Sequence, residues 1–478
     1  MRSGAGGPRP SEIGPRLKIP TLSYGDSLPS EHTRLCWTDD IAPQHNLLAL
    51  PLPGPIEKFA LCVRMSTAEV QNVIIIGAGI IGCTIAYYLT EDPAYKDSNI
   101  KITIIEASAK GCSQGASGKS GGLVAKWAYP KNLVNVSFPE HVRLAEKHNG
   151  AERWGWRFVG CGNWEGRGED VGPDAEKQME PERRRSLEKT VGLGDDWKKR
   201  SRADKGLPDD LDWVNEELTD SYSQMAPKGH TAQVQPYLFT RNMLELAKEQ
   251  GAQFVPGKVT SINIDSNAKS VTGVTYTDIK TGQQETISAT HVVLAAGPWS
   301  SKLIPALPIN ATRAHSITII PEAGYSISPY VLFTDVTFPD ESPLGNNSVS
   351  PEVYARPNNE WYCCGTGDNL DLPETVDQVE VDQSICENIY QQVVGISSKM
   401  RHGKVDRRQA CYLPTISAGG DPVVGEATTL AKGLIIATGH TCWGISNAPG
   451  TGKAVAEQIL HGKITCANLN NLSPARFL

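Results

Sequence analysis

Three short, strongly apolar runs, at 73–76, 292–294 and 434–436, each end within three residues at a glycine. The first, Val73-Ile74-Ile75-Ile76, has the length and β-branched content of a parallel strand buried on both faces. The Gly-free stretch 83–89 predicts a helix after it, and the apolar run 102–105, closed by Glu106, predicts the next strand. Residues 239–250 carry an amphipathic helical period, 253–262 read as a strand, and 270–277 with 283–288 as a strand pair. The run 433–440 leads, through a glycine-rich stretch, to a helix expected over 453–461. Between about 314 and 365 the pattern changes to alternation, with β-rich runs at 316–320, 330–333 and 362–365, which predicts a mostly antiparallel sheet. Residues 158–220 are polar and irregular and read as an insertion. Residues 1–64 are Pro-rich without periodicity and are expected to be a disordered extension, with Met65 as the natural start of the chain.

The glycines carry the first chemistry. Gly77 permits a tight turn, Gly79 lets the backbone approach a pyrophosphate, and Gly82 lets the helix pack on the strand. A pyrophosphate would lie on the unpaired N–H groups at the positive end of that helix. Glu106 closes the second strand where a ribose diol would lie, accepting its hydroxyls and repelling a 2′-phosphate, so the expected ligand is FAD or NAD and not NADP. The spacing from Gly82 to Glu106 is long, and an inserted loop at 92–98 accounts for it.

Composition narrows the class. A chain of 478 residues holds two or three domains without needing staples, and its net charge of −7 gives no electrostatic footprint for nucleic acid. The basic clusters at 183–185 and 198–200 are flanked by acids and read as solvated surface. The eleven cysteines are scattered with no C-x-x-C, so neither a disulfide framework nor a metal site is expected, and a cytoplasmic location fits best. The apolar stretch 73–89 is too short and too rich in glycine for a membrane span.

Taken together, the glycine fingerprint with its acid, the segment Ala295-Ala-Gly-Pro-Trp299, and the closing motif from Gly439-His440 to Pro449-Gly-Thr-Gly452 resemble the FAD-dependent oxidoreductases of the D-amino-acid oxidase type. That group includes glycine oxidase and sarcosine oxidase, and the resemblance spans residues 73–477. Phrases such as Trp127-Ala-Tyr-Pro130 look like a fungal subgroup of amino-acid oxidase-like proteins. The resemblance implies an α/β fold: a Rossmann-like FAD-binding domain (65–130, 225–312 and 405–478) interleaved with a mostly antiparallel β-sheet substrate domain (131–224 and 313–404). It places FAD against Gly77, Gly79, Ile80, Ile81, Gly82, Glu106 and Ala107. The loop Ser117, Gly118, Lys119, Ser120 and Gly121 follows, then Val259, then Ala296, Gly297 and Trp299, and finally Gly444, Ile445 and Ser446.

The implied activity is oxidation of a C–N bond in a small amine or amino acid by hydride transfer to flavin, with oxygen as acceptor. A dehydrogenase with another acceptor, or a flavoprotein kept for binding or regulation, are the alternatives. Lys119 is the only charge in its loop and either meets phosphate, points at the flavin through water, or is a solvated surface lysine. Arg356, at the end of an expected strand, either holds a substrate carboxylate bidentately or is an exposed strand-end arginine. Trp127 and Tyr129 offer an aromatic wall or simply core. The sequence departs from glycine oxidase at Cys411-Tyr412-Leu413-Pro414, where that enzyme type has Arg-Pro. In the sarcosine oxidase branch a cysteine near this point carries a covalent bond to flavin, which makes Cys411 a candidate for one.

Overall fold

A computed structural model of the chain describes residues 71–96, 98–171, 201–344, 348–417 and 419–478. The expected extension 1–64, the start at Met65 and the basic clusters at 183–185 and 198–200 lie outside the described residues.

The run Val73–Ile76 lies in the strand Gln71–Ile76, whose alternate residues feed two different cores. Val73 and Ile75 pack on one face against helical residues such as Ile85, Leu89, Phe239 and Val455, while Ile74 and Ile76 pack on the other with Val274 and Val292. A strand covered on both faces must be apolar at every position, which is why this run does not alternate. Each isoleucine removed from water contributes roughly 1.5–3 kcal/mol.

This strand is the middle of an eight-stranded sheet, ordered Gln284–Ser288, Ser270–Asp278, Gln253–Asp265, Ile100–Glu106, Gln71–Ile76, His291–Leu294, Leu434–Thr438 and Val423–Glu426. The five strands from Gln253–Asp265 to Leu434–Thr438 are parallel to one another. The helices Ile80–Glu91, Pro236–Glu249 and Gly444–His461 pack over one face of it.

A second, seven-stranded sheet runs Lys404–Ile416, Ile309–Ile320, Glu360–Asp368, Glu352–Arg356, Tyr330–Thr337, Gly160–Arg167 and Thr219–Gln224. Every pairing is antiparallel except that between Tyr330–Thr337 and Gly160–Arg167. Here the chain does alternate. Leu332, Val353, Ala355, Trp361 and Cys363 face a core shared with the helix Gln383–Val394, and the residues between them face the other way. The expected α/β class with a second, mostly antiparallel sheet is what the chain forms.

Two segments sit elsewhere than the sequence placed them. The strand Lys404–Ile416 pairs along its length with Ile309–Ile320 in the second sheet. The helix Lys131–Lys147 buries Leu133, Phe138 and Leu144 in the first core. The last helix also begins earlier than 453, at Gly444, and carries Pro449 inside it. Proline lacks the N–H that would bond the carbonyl of Ile445. That carbonyl instead meets His141 Nε2 at 3.0 Å, and the next amide, of Gly450, donates to Ser137 Oγ at 2.9 Å. The breaker is tolerated because a neighbouring helix supplies the missing partners.

Candidate active site

The glycine turn after the first strand is built so that little else fits. Gly77 has φ of +101°, and a Cβ there would stand 2.7 Å from the carbonyl oxygen of Ala295. A Cβ on Gly82 would stand 2.0 Å from the carbonyl oxygen of Gly77. At Gly79 the nearest atom is Ser117 Oγ at 3.2 Å, so its open side faces the cavity rather than protein. The helix Ile80–Glu91 has no side-chain cap at Gly79, and the amide of Ile80 donates to Ser117 Oγ at 2.9 Å. The Glu106 carboxylate accepts from the amides of Ala78 at 2.7 Å and Ser108 at 2.8 Å, one on each oxygen. Burial pushes its pKa up while these amides oppose the rise. Each oxygen keeps a lone pair, and the residue lines the cavity.

The cavity holds about 400 Å³ and runs from this turn to the second sheet. Its wall contains three buried polar atoms with no hydrogen-bond partner among the described residues: Ser113 Oγ, Ser120 Oγ and Trp443 Nε1. Buried polar groups are rarely left unpaired, so these are places for a ligand's own donors and acceptors. A second uncapped helix start, that of Gly444–His461 after Trp443, reaches the same cavity. Two positive helix ends, a glycine cradle, a ribose-spaced carboxylate and these orphaned atoms fit a flavin dinucleotide.

A strap at 373–378 crosses the dinucleotide end. Trp299 Nε1 donates to the carbonyl of Pro373 at 2.8 Å, and Lys258 and Lys302 both pair with Glu374 at 2.8 Å. Asp377 accepts from Ser108 Oγ at 2.7 Å and from the amide of Ala109 at 2.8 Å. Glu374, Thr375 and Val376 line the cavity from this side.

Most residues singled out from sequence are brought to this one cavity. Gly77, Gly79, Ile80, Ile81, Glu106, Ala107, Ser117, Lys119, Ser120, Gly121, Val259, Ala296, Gly297, Trp299, Cys411, Gly444 and Ile445 all line it. Four do not. Gly82 and Gly118 serve close packing, the latter because a Cβ would stand 2.0 Å from the carbonyl oxygen of Ser113. Ser446 is buried and accepts from the amide of Ala125. Arg356 is neither exposed nor in the cavity. It is 3% exposed, pairs with Glu360 at 2.9 Å, donates to the carbonyl of Ser120, and lies 4.4 Å from the ring centre of Tyr362. Those bonds hold the glycine-rich loop against the second sheet, and the expectation that Arg356 anchors a substrate carboxylate is therefore corrected.

Lys119 is not a surface lysine. Its Nζ donates to the carbonyl of Ala410 at 2.9 Å, and burial lowers its pKa. Beside it, burial pushes the Cys411 thiol up to about 11, with Lys119 opposing.

The second sheet supplies the part of the wall that sequence reasoning missed: Phe333, Glu352, Tyr354, Tyr362 and Cys364. Their signal was the alternation itself, which sets these positions opposite Leu332, Val353, Ala355, Trp361 and Cys363. Which of the two faces meets the cavity depends on how the sheets stack. Trp127 and Tyr129 do not line the cavity but back it, packing edge-on against Trp443 with ring centres 5.5 and 5.3 Å apart. Among the described residues no helix is long and apolar enough to cross a membrane, and no group of three His, Cys, Asp or Glu side chains is placed to hold a metal ion.

Comparison with known proteins agrees with this geometry. The family described as DAO, FAD dependent oxidoreductase, matches residues 72–458. The chain is 31% identical to TDA3 of Saccharomyces cerevisiae, an oxidoreductase by name, over 84% of this chain and 94% of that protein. Among solved structures, L-proline dehydrogenase from P. horikoshii matches with a TM-score of 0.60 at 17% identity, covering 85% of this chain and 97% of its own. Glycine oxidase from Bacillus cereus matches with a TM-score of 0.58 at 18% identity, covering 82% and 95%. At such identities these two structures speak for the fold alone.

Proposed function

Because this chain belongs to the DAO family of FAD-dependent oxidoreductases, we propose that it oxidises the C–N bond of a small amine or amino acid, with molecular oxygen as acceptor. The observation that carries this reading is the single cavity in which the glycine cradle and Glu106 at one end meet a chamber of aromatic rings at the other. Gly77, Gly79, Ser117, Glu106 and Val259 would hold the dinucleotide part of FAD, and Lys119 to Gly121 with Gly444 and Ile445 the flavin part. Bound there, FAD supplies the two-electron acceptor for hydride leaving the α-carbon of a neutral amine.

The protein's share of that chemistry is placement and charge. The uncapped start of the helix at Gly444 borders the cavity, where its backbone amides would stabilise negative charge on a ring held there. Tyr354 and Tyr362 keep their protons, because burial raises both phenols well above their usual range. Together with Phe333 they wall this end of the cavity with aromatic rings. The Cys411 thiol is likewise protonated near neutrality and supplies a small, uncharged patch of wall.

The test is anaerobic addition of an amine and amino-acid panel to the purified yellow protein. Bleaching of the flavin absorbance supports the reading, and peroxide formed on readmitting air assigns oxygen as acceptor. A flavin that no member of the panel reduces would overturn it.

A further inference from the structure

Among the described residues, the wall that the second sheet gives the cavity carries one carboxylate, Glu352, and no lysine or arginine. Phe333 pairs in register with Glu352, and Glu352 with Cys364, while Tyr354 pairs with Tyr362. The period of two then turns Phe333, Glu352, Tyr354, Tyr362 and Cys364 to the same side, and all five line the cavity. Glu352 Oε2 accepts from the Tyr354 hydroxyl and the Cys364 thiol. Its Oε1 accepts nothing from the described residues, and no Lys, Arg or His among them forms an ion pair with it.

The lysines that line the cavity, and Arg356 behind it, are committed elsewhere among the described residues. Arg356 is held by Glu360 and the carbonyl of Ser120. Lys119 is bonded to the carbonyl of Ala410, and Lys258 and Lys302 share Glu374 at the far, dinucleotide end. Glu352 is half-buried, and its oxygen without a protein donor is open to a ligand that brings one. The rings themselves favour the same partner, since aromatic faces attract a cation and Phe333, Tyr354 and Trp443 line the cavity.

We propose that Glu352 is the specificity-determining residue of this site, pairing with a cationic nitrogen of the substrate. This rests on the amine-oxidation reading above and names its substrate class. An amino-acid carboxylate would meet a like charge in the chamber and no guanidinium. The paired nitrogen is not the one oxidised, because a neighbouring carboxylate favours its protonated form and only a neutral amine releases hydride. The substrate class is therefore amines that bear a second, cationic nitrogen and no carboxylate.

Two measurements on the flavin-loaded protein separate this inference from the reading it rests on. The first compares anaerobic flavin reduction by putrescine, n-butylamine and γ-aminobutyrate, matched in length and differing in the far group. Putrescine is expected to half-saturate the reduction rate at a concentration about ten- to a hundredfold below both others, the worth of one charge-assisted hydrogen bond. Glu352→Gln, nearly isosteric, narrows that preference to within about threefold. The second measurement needs no turnover: tetramethylammonium and benzoate are titrated while the flavin spectrum is followed. Tetramethylammonium perturbs the wild-type spectrum at lower concentration than benzoate, and the order is lost in Glu352→Gln.

Preference for γ-aminobutyrate, or benzoate binding ahead of tetramethylammonium in the wild type, overturns the assignment of Glu352. Equal use of putrescine and butylamine overturns it too. If no amine reduces the flavin but tetramethylammonium binds in a Glu352-dependent way, the oxidation reading fails and the cation site stands. Should the Gln variant fail to fold, the order of the two ions in the wild-type titration still supports or overturns the assignment.

Discussion

His141 Nε2 stands 3.0 Å from the carbonyl oxygen of Ile445, the one acceptor that Pro449 leaves without its helical donor. The imidazole is fully buried, stacked at 5.9 Å on Trp156 and tilted against Phe239. Because Ile445 also lines the cavity, this bond ties the packing of two helices to the shape of the flavin end. His141→Ala should cost roughly 3 kcal/mol or more, from the emptied volume and the stranded carbonyl together. Chemical denaturation reads the loss, and flavin content of the purified variant should fall with it. An unchanged midpoint would show that the bond does not support the helix.

The same histidine gives stability a pH dependence. Burial lowers the pKa of His141 to about 4 and that of His440 to about 3, whereas both take up protons near 6.5 when unfolded. Between those values the unfolded chain binds more protons than the folded one, so stability is fully present above pH 6.5 and is lost as the pH falls through the window below it. Each group contributes a slope of about 1.4 kcal/mol per pH unit there. Thermal midpoints measured from pH 7 to pH 5 should fall, and His141→Gln should flatten the decline. A profile that stays level over that range in the wild type contradicts the buried, neutral state of both rings.

The glycines of the first turn predict opposite failures. Gly79 borders open cavity, so Gly79→Val should fold and lose FAD, the side chain taking the space of the pyrophosphate. Gly82→Val should fail to fold, because its side chain would begin 2.0 Å from the carbonyl oxygen of Gly77. Glu106→Ala should also fold and bind FAD weakly, losing roughly 1–3 kcal/mol of ribose recognition. Circular dichroism and flavin absorbance on the three variants distinguish these outcomes, and full flavin occupancy in Gly79→Val would remove the pyrophosphate from this turn.

How far the chain could be read in advance followed from the range of the forces involved. The parallel strands were legible because burial on both faces demands uninterrupted apolar residues, as at Val73–Ile76 and Leu434–Ile436. The first turn was legible because its glycines answer to local geometry. The start of the last helix was not, since Pro449 argues locally for a break and only the distant His141 and Ser137 make the helix possible. Arg356 failed for a similar reason. Its position at the end of a strand was foreseen, but its partners Glu360 and Ser120 belong to a hairpin and to a loop more than two hundred residues away. Glu352 lay in plain sight within an alternating strand, and nothing local says which face of that strand borders the cavity.

Lys119 and Cys411 allow a further check. Burial raises the thiol pKa to about 11 and Lys119 pulls against that rise, so Lys119→Met should move it higher still. After removal of flavin, alkylation of Cys411 at pH 9 should be slower in the variant than in the wild type, because less thiolate is present. Mass spectrometry of the alkylated peptide follows the rate, and a faster reaction in Lys119→Met would mean that the lysine shields the thiol rather than charging it.

The strap at 373–378 has a consequence in time rather than in affinity. Its ion pairs through Glu374 are exposed and yield to salt, but the bonds from Trp299 to Pro373 and from Ser108 and Ala109 to the Asp377 carboxylate fasten it at both ends. A dinucleotide held beneath it would leave only when several of these release together. Retention of the cofactor would then be set by the rarity of that opening, and a chain that meets flavin while it folds would differ in history, not in final structure, from one that must wait for the strap to lift.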